Sequence, residues 1–156
     1  MGVATMRRIL LMAGLLACSS PALPSDAFRT CAVQALSGRW GPIAPWQRKA
    51  YQRGLDQGVT VGPRIWLTSY GPWEGRMGQV DARGRRCTDR TLAANALPLG
   101  TYVWLENPCQ MRQVLDRGAR SNDRRARRKG CSWWADLWVH RSRDARTCTT
   151  RAAVID

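Results

Sequence analysis

The chain has 156 residues, with 25 lysines and arginines against 11 aspartates and glutamates and a formal net charge of +14. This length supports one domain with a modest core and is too short for two. The excess of positive charge favours anionic partners. No cysteine or histidine has the spacing of a zinc ligand, so we expect no metal. We also expect no cofactor and a monomeric protein.

Residues 1–27 have the layout of an export signal. A basic start is followed by an apolar run at residues 9–17 and then by small residues. Two processing routes stay open, because Cys18 ends a sequence similar to a lipobox and the small residues before Ala22 and Ala27 suit a general signal peptidase. Both routes predict an exported protein, in the periplasm, at the outer membrane or outside the cell. Nucleic acid is then not an expected partner, and membrane attachment requires lipidation of the cysteine.

Residues 28–60 are predicted to form a linker and one helix. Apolar residues recur at helical spacing between Trp46 and Leu55, and Gly58 is expected to end this helix. Outside residues 46–57 we expect little helix.

From residue 64 the pattern changes to the alternation that is typical of strands. The second and third predicted strands form a hairpin across an Asn-Pro turn. Residues 61–140 are therefore predicted as a mainly β domain, and residues 141–156 as a basic tail. Strands are predicted at residues 65–70, 101–105, 111–115 and 135–139.

Two aspartates lie at or near the ends of these strands. Asp116 follows the second strand of the hairpin, and Asp136 lies in the last strand on the face opposite Leu137. Antiparallel pairing of the hairpin brings the start of its first strand next to the end of its second. We therefore expect Asn95 and the turn before Thr101 to lie near Asp116.

Four ordered segments of the chain carry a family resemblance. They are Thr68-Ser69-Tyr70-Gly71, residues 91–103 (TLAANALPLGTYV), Leu115-Asp116-Arg117-Gly118 and Ala135-Asp136-Leu137. Together they resemble the rare lipoprotein A-like double-psi β-barrel and the related three-aspartate (3D) domain of membrane-bound lytic transglycosylase A. The resemblance implies a six-stranded double-psi β-barrel with a groove for peptidoglycan glycan strands. It also implies an aspartate at Asp116 that acts in cleavage and a second groove aspartate at Asp136.

Cleavage of a glycosidic bond needs an acid that protonates the leaving oxygen. A lytic transglycosylase can use a single residue as acid and base, because the 6-hydroxyl of the muramic sugar attacks in place of water. Asp116 is predicted to fill this role if burial raises its pKa, with Asp136 as the supporting carboxylate. Asn95 departs from the family pattern, which has an acid or a histidine at that position.

The glycan is predicted to contact a small set of polar and aromatic residues. Trp73 follows a Gly-Pro pair and is the preferred stacking platform for a sugar ring. The predicted substrate-binding residues are Asn95, Tyr70, Trp73, Arg117 and Thr101.

Five cysteines follow the leader, which predicts two disulfides and one free thiol in an exported protein. Cys87 is expected to pair with Cys131, and Cys31 with Cys148, which would tie the ends of the chain together.

The densest basic stretch, residues 117–129, has almost no large apolar residue and is predicted to be a solvated loop. It is either a docking surface for glycan strands and other anionic wall polymers or simply a soluble loop. Three functions remain open: a lytic transglycosylase, a wall-binding module that has lost catalysis, and a secreted basic defence protein of the barwin type.

Overall fold

The computed structural model describes residues 25–144 and 147–155 of the chain. Residues 1–24 of the predicted leader, with Cys18 and the motif before Ala22, lie outside these residues, whereas the motif before Ala27 lies within them. Among the helices that are described, none is long and apolar enough to cross a membrane.

Six strands close into one barrel, which confirms the predicted mainly β fold with six strands. Around the barrel the order is β1, β5, β2, β4, β3, β6. The β1–β5 and β2–β4 pairs are parallel and the other four pairs are antiparallel. The strands are β1 (Arg64–Tyr70), β2 (Thr91–Ala93), β3 (Tyr102–Leu105), β4 (Gln110–Asp116), β5 (Trp133–Trp138) and β6 (Cys148–Ile155).

The barrel interior is filled by alternate residues of the strands. Ile65 and Leu67 of β1 are fully buried there, together with Leu92, Val103 and Val114 of the neighbouring strands. The residues between them face outwards, because successive side chains of a strand point to opposite sides. Asp136 lies on the outer face by this alternation. A register shift between β2 and β4, after the pair of Leu92 and Val114, brings Asp116 opposite Ala93 on the same face.

Two helices cover the opposite side of the barrel. They are α1 (Asp26–Leu36) and α2 (Pro45–Gln57), and they pack with the outer faces of β3 and β6. Phe28 of α1 meets Trp104 edge to face, with ring centroids 5.3 Å apart. A Cβ on Gly54 of α2 would lie 2.4 Å from the Phe28 ring, so only glycine fits there. The predicted helix is confirmed as α2, and it ends at Gly58 in the left-handed region with φ 67°.

The expectation of little further helix is wrong, since α1 precedes α2 and a third helix follows β4. Ser25 caps α1 by accepting a hydrogen bond from the Phe28 backbone N–H at 3.3 Å. Cleavage after Ala22 would leave this helix whole, whereas cleavage after Ala27 would remove its cap. The third helix, α3 (Arg120–Arg128), lies in the stretch that was predicted to be a loop. Ala126 is its buried residue and packs in the cluster of Trp134, whereas the arginines of the helix are exposed.

The predicted basic tail is also corrected, because residues 148–155 form β6. This strand pairs with β1 on one side and β3 on the other and thereby closes the barrel. The barrel therefore runs from Arg64 to Ile155.

One disulfide is present among the described residues, and it joins Cys31 of α1 to Cys109 in the turn between β3 and β4. The predicted pair of Cys31 with Cys148 is wrong, because Cys148 starts β6 and is free. The predicted pair of Cys87 with Cys131 is absent, although both buried thiols belong to the same hydrophobic cluster.

Candidate functional site

Four residues lie side by side across the outer face of the barrel. Thr68 of β1 is the register partner of Asp136 of β5, and Ala93 of β2 is the register partner of both Asp136 and Asp116 of β4. We call Thr68, Asp136, Ala93 and Asp116 the carboxylate row. With about 4.8 Å between neighbouring strands, the two aspartate backbones lie about 10 Å apart, and the small Ala93 side chain leaves space between them.

Asp136 is held by its neighbour in the row. The Thr68 hydroxyl donates a hydrogen bond to Asp136 Oδ1 at 2.8 Å. The same hydroxyl accepts a hydrogen bond from the Trp134 indole N–H, also at 2.8 Å. Because the indole occupies the acceptor side of the hydroxyl, its proton is directed at the carboxylate.

Burial raises the pKa of Asp136 to about 6 from an ordinary 3.8. The hydrogen bond from Thr68 opposes this rise in pKa, and the negative charges of Glu74 and Asp116 add to it. A carboxyl group with this pKa is partly protonated near neutral pH and can donate a proton. The raised pKa thus belongs to the aspartate that was predicted to play the supporting role.

Asp116 accepts two hydrogen bonds. The Tyr70 hydroxyl donates to Asp116 Oδ2 at 2.9 Å, and the Arg117 backbone N–H donates to Oδ1 at 2.8 Å. Tyr70 is buried, and burial together with the Asp116 charge raises the pKa of its phenol far above the ordinary value. Tyr70 therefore remains a hydrogen-bond donor to Asp116 at any physiological pH.

Arg117 does not form an ion pair with Asp116. Its guanidinium turns back and donates to the carbonyl oxygens of Ala94 and Leu97, the latter at 2.6 Å. Arg117 thus joins the turn after β2 to the turn after β4, and its predicted contact with substrate stays a prediction.

Asn95 has a similar structural task. Its side-chain amide donates to the Gly118 carbonyl at 3.1 Å and to Asp123 of α3 at 2.9 Å, and its oxygen accepts from the Gly118 N–H at 3.2 Å. Both amide protons are used inside the protein, which leaves none for a sugar hydroxyl. Asn95 therefore ties the turn after Asp116 to the basic helix.

Gly118 lies against the ring of Trp134. A Cβ at this position would be 2.1 Å from the ring, so any larger residue would displace the indole or the turn. The Trp134 indole also donates the hydrogen bond to Thr68, and the backbone N–H of Arg117, which precedes Gly118, donates to Asp116. The close contact between Gly118 and Trp134 therefore joins the two ends of the carboxylate row.

Trp73 and Glu74 lie in a short helical segment after β1, Pro72–Gly78. The segment folds back sharply, since a Cβ on Gly78 would be 1.8 Å from the Gly71 carbonyl oxygen. The Trp73 ring covers Gly71 and is 43% exposed, as a stacking platform must be.

Thr101, the remaining predicted binding residue, lies just before β3. Its backbone carbonyl accepts a hydrogen bond from the Val114 N–H, and it is not a member of the carboxylate row.

Two cavities differ in their relation to this site. The larger, about 800 Å³, lies along α2 between Ile43 and Asp56 and is distant from the row in the fold. A second cavity of about 660 Å³ includes Cys87 and Trp138 in its wall. The Cys87 sulfur lies 3.9 Å from the hydroxyl of Tyr70, which donates to Asp116, so this second cavity is connected to the row through Tyr70, although none of the four row residues lines it. Of these two cavities, the smaller one is therefore the better candidate for binding part of a ligand that lies on the row.

Sequence reasoning missed Thr68 as the partner of Asp136 and Glu74 as a third acid. The parallel pairing of β1 with β5 creates the contact between Thr68 and Asp136, and the fold-back after Gly71 brings the charge of Glu74 near the row.

The described residues contain no group of three metal-binding side chains. Compared with known proteins, the chain matched no protein-family model, no curated protein and no solved structure.

Proposed function

We propose that this protein cleaves peptidoglycan glycan strands in the manner of a lytic transglycosylase. The single observation that carries the proposal is the carboxylate row, in which a carboxyl group with a pKa of about 6 lies two strands from a second carboxylate. The motif resemblance to the rare lipoprotein A and three-aspartate domains supports the same function. A closed six-stranded barrel with two parallel strand pairs is compatible with the double-psi topology, which remains part of the proposal.

In this mechanism Asp136 is the proton donor. Its protonated carboxyl group transfers the proton to the glycosidic oxygen as the bond to the anomeric carbon breaks. The resulting carboxylate then accepts the proton of the muramic 6-hydroxyl, which attacks the anomeric carbon and closes the anhydro ring. One residue thus serves as acid and base, and no water is consumed.

Asp116 stabilises the positive charge that develops on the sugar ring. Both of its hydrogen-bond partners are donors, so its oxygens act as acceptors and are held in place in the carboxylate row. A charge that is already fixed in place before the reaction favours an oxocarbenium-like transition state. The predicted roles of the two aspartates are therefore exchanged in the proposal.

The test is the release of anhydro-muropeptides from purified sacculi. Wild-type protein is expected to release them, and Asp136→Asn is expected to lower the rate by about 10²–10⁴-fold, as is typical for loss of a general acid. Asp144→Asn removes an exposed carboxylate and is the matched control. An Asp136→Asn protein that releases these products at the wild-type rate would exclude the mechanism.

A second candidate, a wall-binding module, is favoured by the surface of α3. Its arginine side chains are exposed on a helix that Asn95 and Ala126 fix beside the row. A fixed cationic surface attracts an anionic polymer in a salt-dependent way. The exposed arginines are Arg120, Arg124, Arg125, Arg127 and Arg128.

Replacement of these five arginines by glutamine is expected to weaken sedimentation with sacculi at low salt and to leave the melting temperature nearly unchanged. The control replaces five exposed arginines elsewhere and has the same net charge. Equal sedimentation of the two variants would show that α3 has no special part in binding. Wild-type sedimentation without product release would favour the module over the enzyme. The control positions are Arg29, Arg39, Arg48, Arg141 and Arg143.

A further inference from the structure

The carboxylate row continues into the second cavity along β1 and β5. Tyr70 and Trp138 are register partners two residues beyond Thr68 and Asp136, and alternate residues share a face. At about 3.3 Å per residue, the Trp138 backbone lies about 7 Å along the strand from that of Asp136. Trp138 lines the cavity, which has a volume of about 660 Å³ and which we call the side cavity.

The other aspartate is equally close to the side cavity. Cys87 lies in its wall, 3.9 Å from the Tyr70 hydroxyl, which in turn lies 2.9 Å from Asp116. The buried Tyr70 side chain thus lies between Asp116 and the cavity wall, and a substituent of a ligand on the row would reach the side cavity alongside it. The volume is in the range of known small-ligand sites.

The loop that forms the outer wall of the side cavity is rigid. The buried Asp81 carboxylate accepts backbone N–H bonds from Arg83 and Arg85 and forms an ion pair with the Arg85 guanidinium at 2.9 Å. Burial disfavours its charge, but these bonds outweigh burial and lower the pKa of Asp81. The Cys87 N–H closes the loop on the Gln79 carbonyl at 2.8 Å. The wall is thus preformed.

Arg86 is the cationic residue that this loop presents to the side cavity. It lines the cavity and is exposed, and within the described part of the chain its guanidinium has no ion pair or hydrogen bond. The neighbouring Arg85 guanidinium is paired with Asp81 through Nε and Nη2. Of the two adjacent guanidinium groups, that of Arg86 is therefore the one without a carboxylate partner among the described residues.

We propose that the side cavity binds the acidic peptide that is attached to the muramic sugar, and that Arg86 selects for it. The inference rests on the proposed function of the row. Arg86 would bind a carboxylate of the peptide, the Gln79 amide would meet its backbone, and the apolar surface of Trp138 and Pro72 would contact its alanyl methyl group. The protein then prefers peptide-bearing strands over strands from which the peptides have been removed.

The direct test is titration with N-acetylmuramyl-L-alanyl-D-isoglutamine, followed by the NMR shifts of indole N–H groups. Arg86→Gln is expected to weaken binding roughly ten-fold or more, because a charged hydrogen bond is lost. Arg83→Gln is the matched control, since its side chain is exposed in the same loop and does not line the cavity. No binding by wild type, or equal binding by the two variants, would overturn the proposal.

A second measurement compares product release from intact sacculi and from sacculi treated with an amidase that removes the peptides. Arg86→Gln is expected to slow release from intact sacculi and to leave release from stripped sacculi unchanged. Equal effects on both substrates would contradict selection by Arg86. If wild type cuts neither substrate, the proposed function fails, and the titration still decides whether the side cavity binds the peptide.

Discussion

Replacement of Asp136 by asparagine separates stability from activity more sharply than any other single change. Asparagine keeps the size of the side chain and an oxygen that can accept the Thr68 hydrogen bond, but it cannot ionise. The wild-type carboxyl group has a folded pKa of about 6 against an ordinary 3.8. A group whose pKa is raised on folding is more easily ionised in the unfolded chain, so its ionisation destabilises the folded state.

The magnitude follows from that difference in pKa. About two pKa units correspond to about 3 kcal/mol at pH 7, where the group is mostly ionised in both states. Since Asp136 is only partly buried, solvent reduces this figure, and we expect a gain of about 1–3 kcal/mol for Asp136→Asn. The gain should shrink as the pH falls from 6 to 4, because the wild-type carboxyl group then becomes neutral as well.

Urea unfolding of the wild type, Asp136→Asn and Asp144→Asn at pH 4 and pH 7 measures this effect. The expected result is that Asp136→Asn is more stable than wild type at pH 7 and similar at pH 4, with product release reduced at both. Wild-type release should itself decline as the pH rises through about 6. An Asp136→Asn protein that is no more stable than wild type at pH 7 would refute the reasoning, whatever its activity.

Three other changes test the packing around the row. Gly118→Ala should destabilise the protein by about 1–3 kcal/mol in urea unfolding, because the new methyl group overlaps a buried indole. Reduction of the Cys31–Cys109 disulfide, which closes a loop of 78 residues, should cost up to about 4 kcal/mol in thermal unfolding, and peptide mapping of the oxidised protein should find this pair. Thr68→Val should raise the pKa of Asp136 by removing the hydrogen bond that lowers it, and thus shift the activity profile to higher pH, while Thr68→Ser should restore the wild-type profile. An unshifted profile for Thr68→Val would contradict the part assigned to this hydroxyl.

Much of the barrel could be predicted because its strands alternate. The predicted hairpin, for example, is the antiparallel pair of β3 and β4, with Tyr102 opposite Gln113. Other signals were present but were missed. Phe28, Ala32 and Ala35 recur at helical spacing in α1, beside the predicted leader, and residues 148–155 are rich in β-branched residues.

The basic helix α3 shows where periodicity fails as a signal. Only Ala126 is buried in it, so the stretch has no apolar stripe and resembles a loop. Arginine is nevertheless a strong helix former, and the hydrogen bond from Asn95 to Asp123 anchors the first turn. This hydrogen bond joins residues 28 positions apart, so it cannot be predicted from the pattern of neighbouring residues.

The division of roles between the two aspartates depends on contacts of the same long-range kind. Sequence alone favoured Asp116, because it belongs to the recognisable Asp-Arg-Gly turn. The parallel pairing of β1 with β5 places Asp136 beside a single hydroxyl donor, Thr68, whereas Asp116 receives two donors, from Tyr70 and Arg117. Burial raises the pKa of Asp136, and the hydrogen bond from Thr68 opposes this rise only in part. Strand pairing, more than the motif itself, is therefore the reason why the proposal assigns the acid to Asp136.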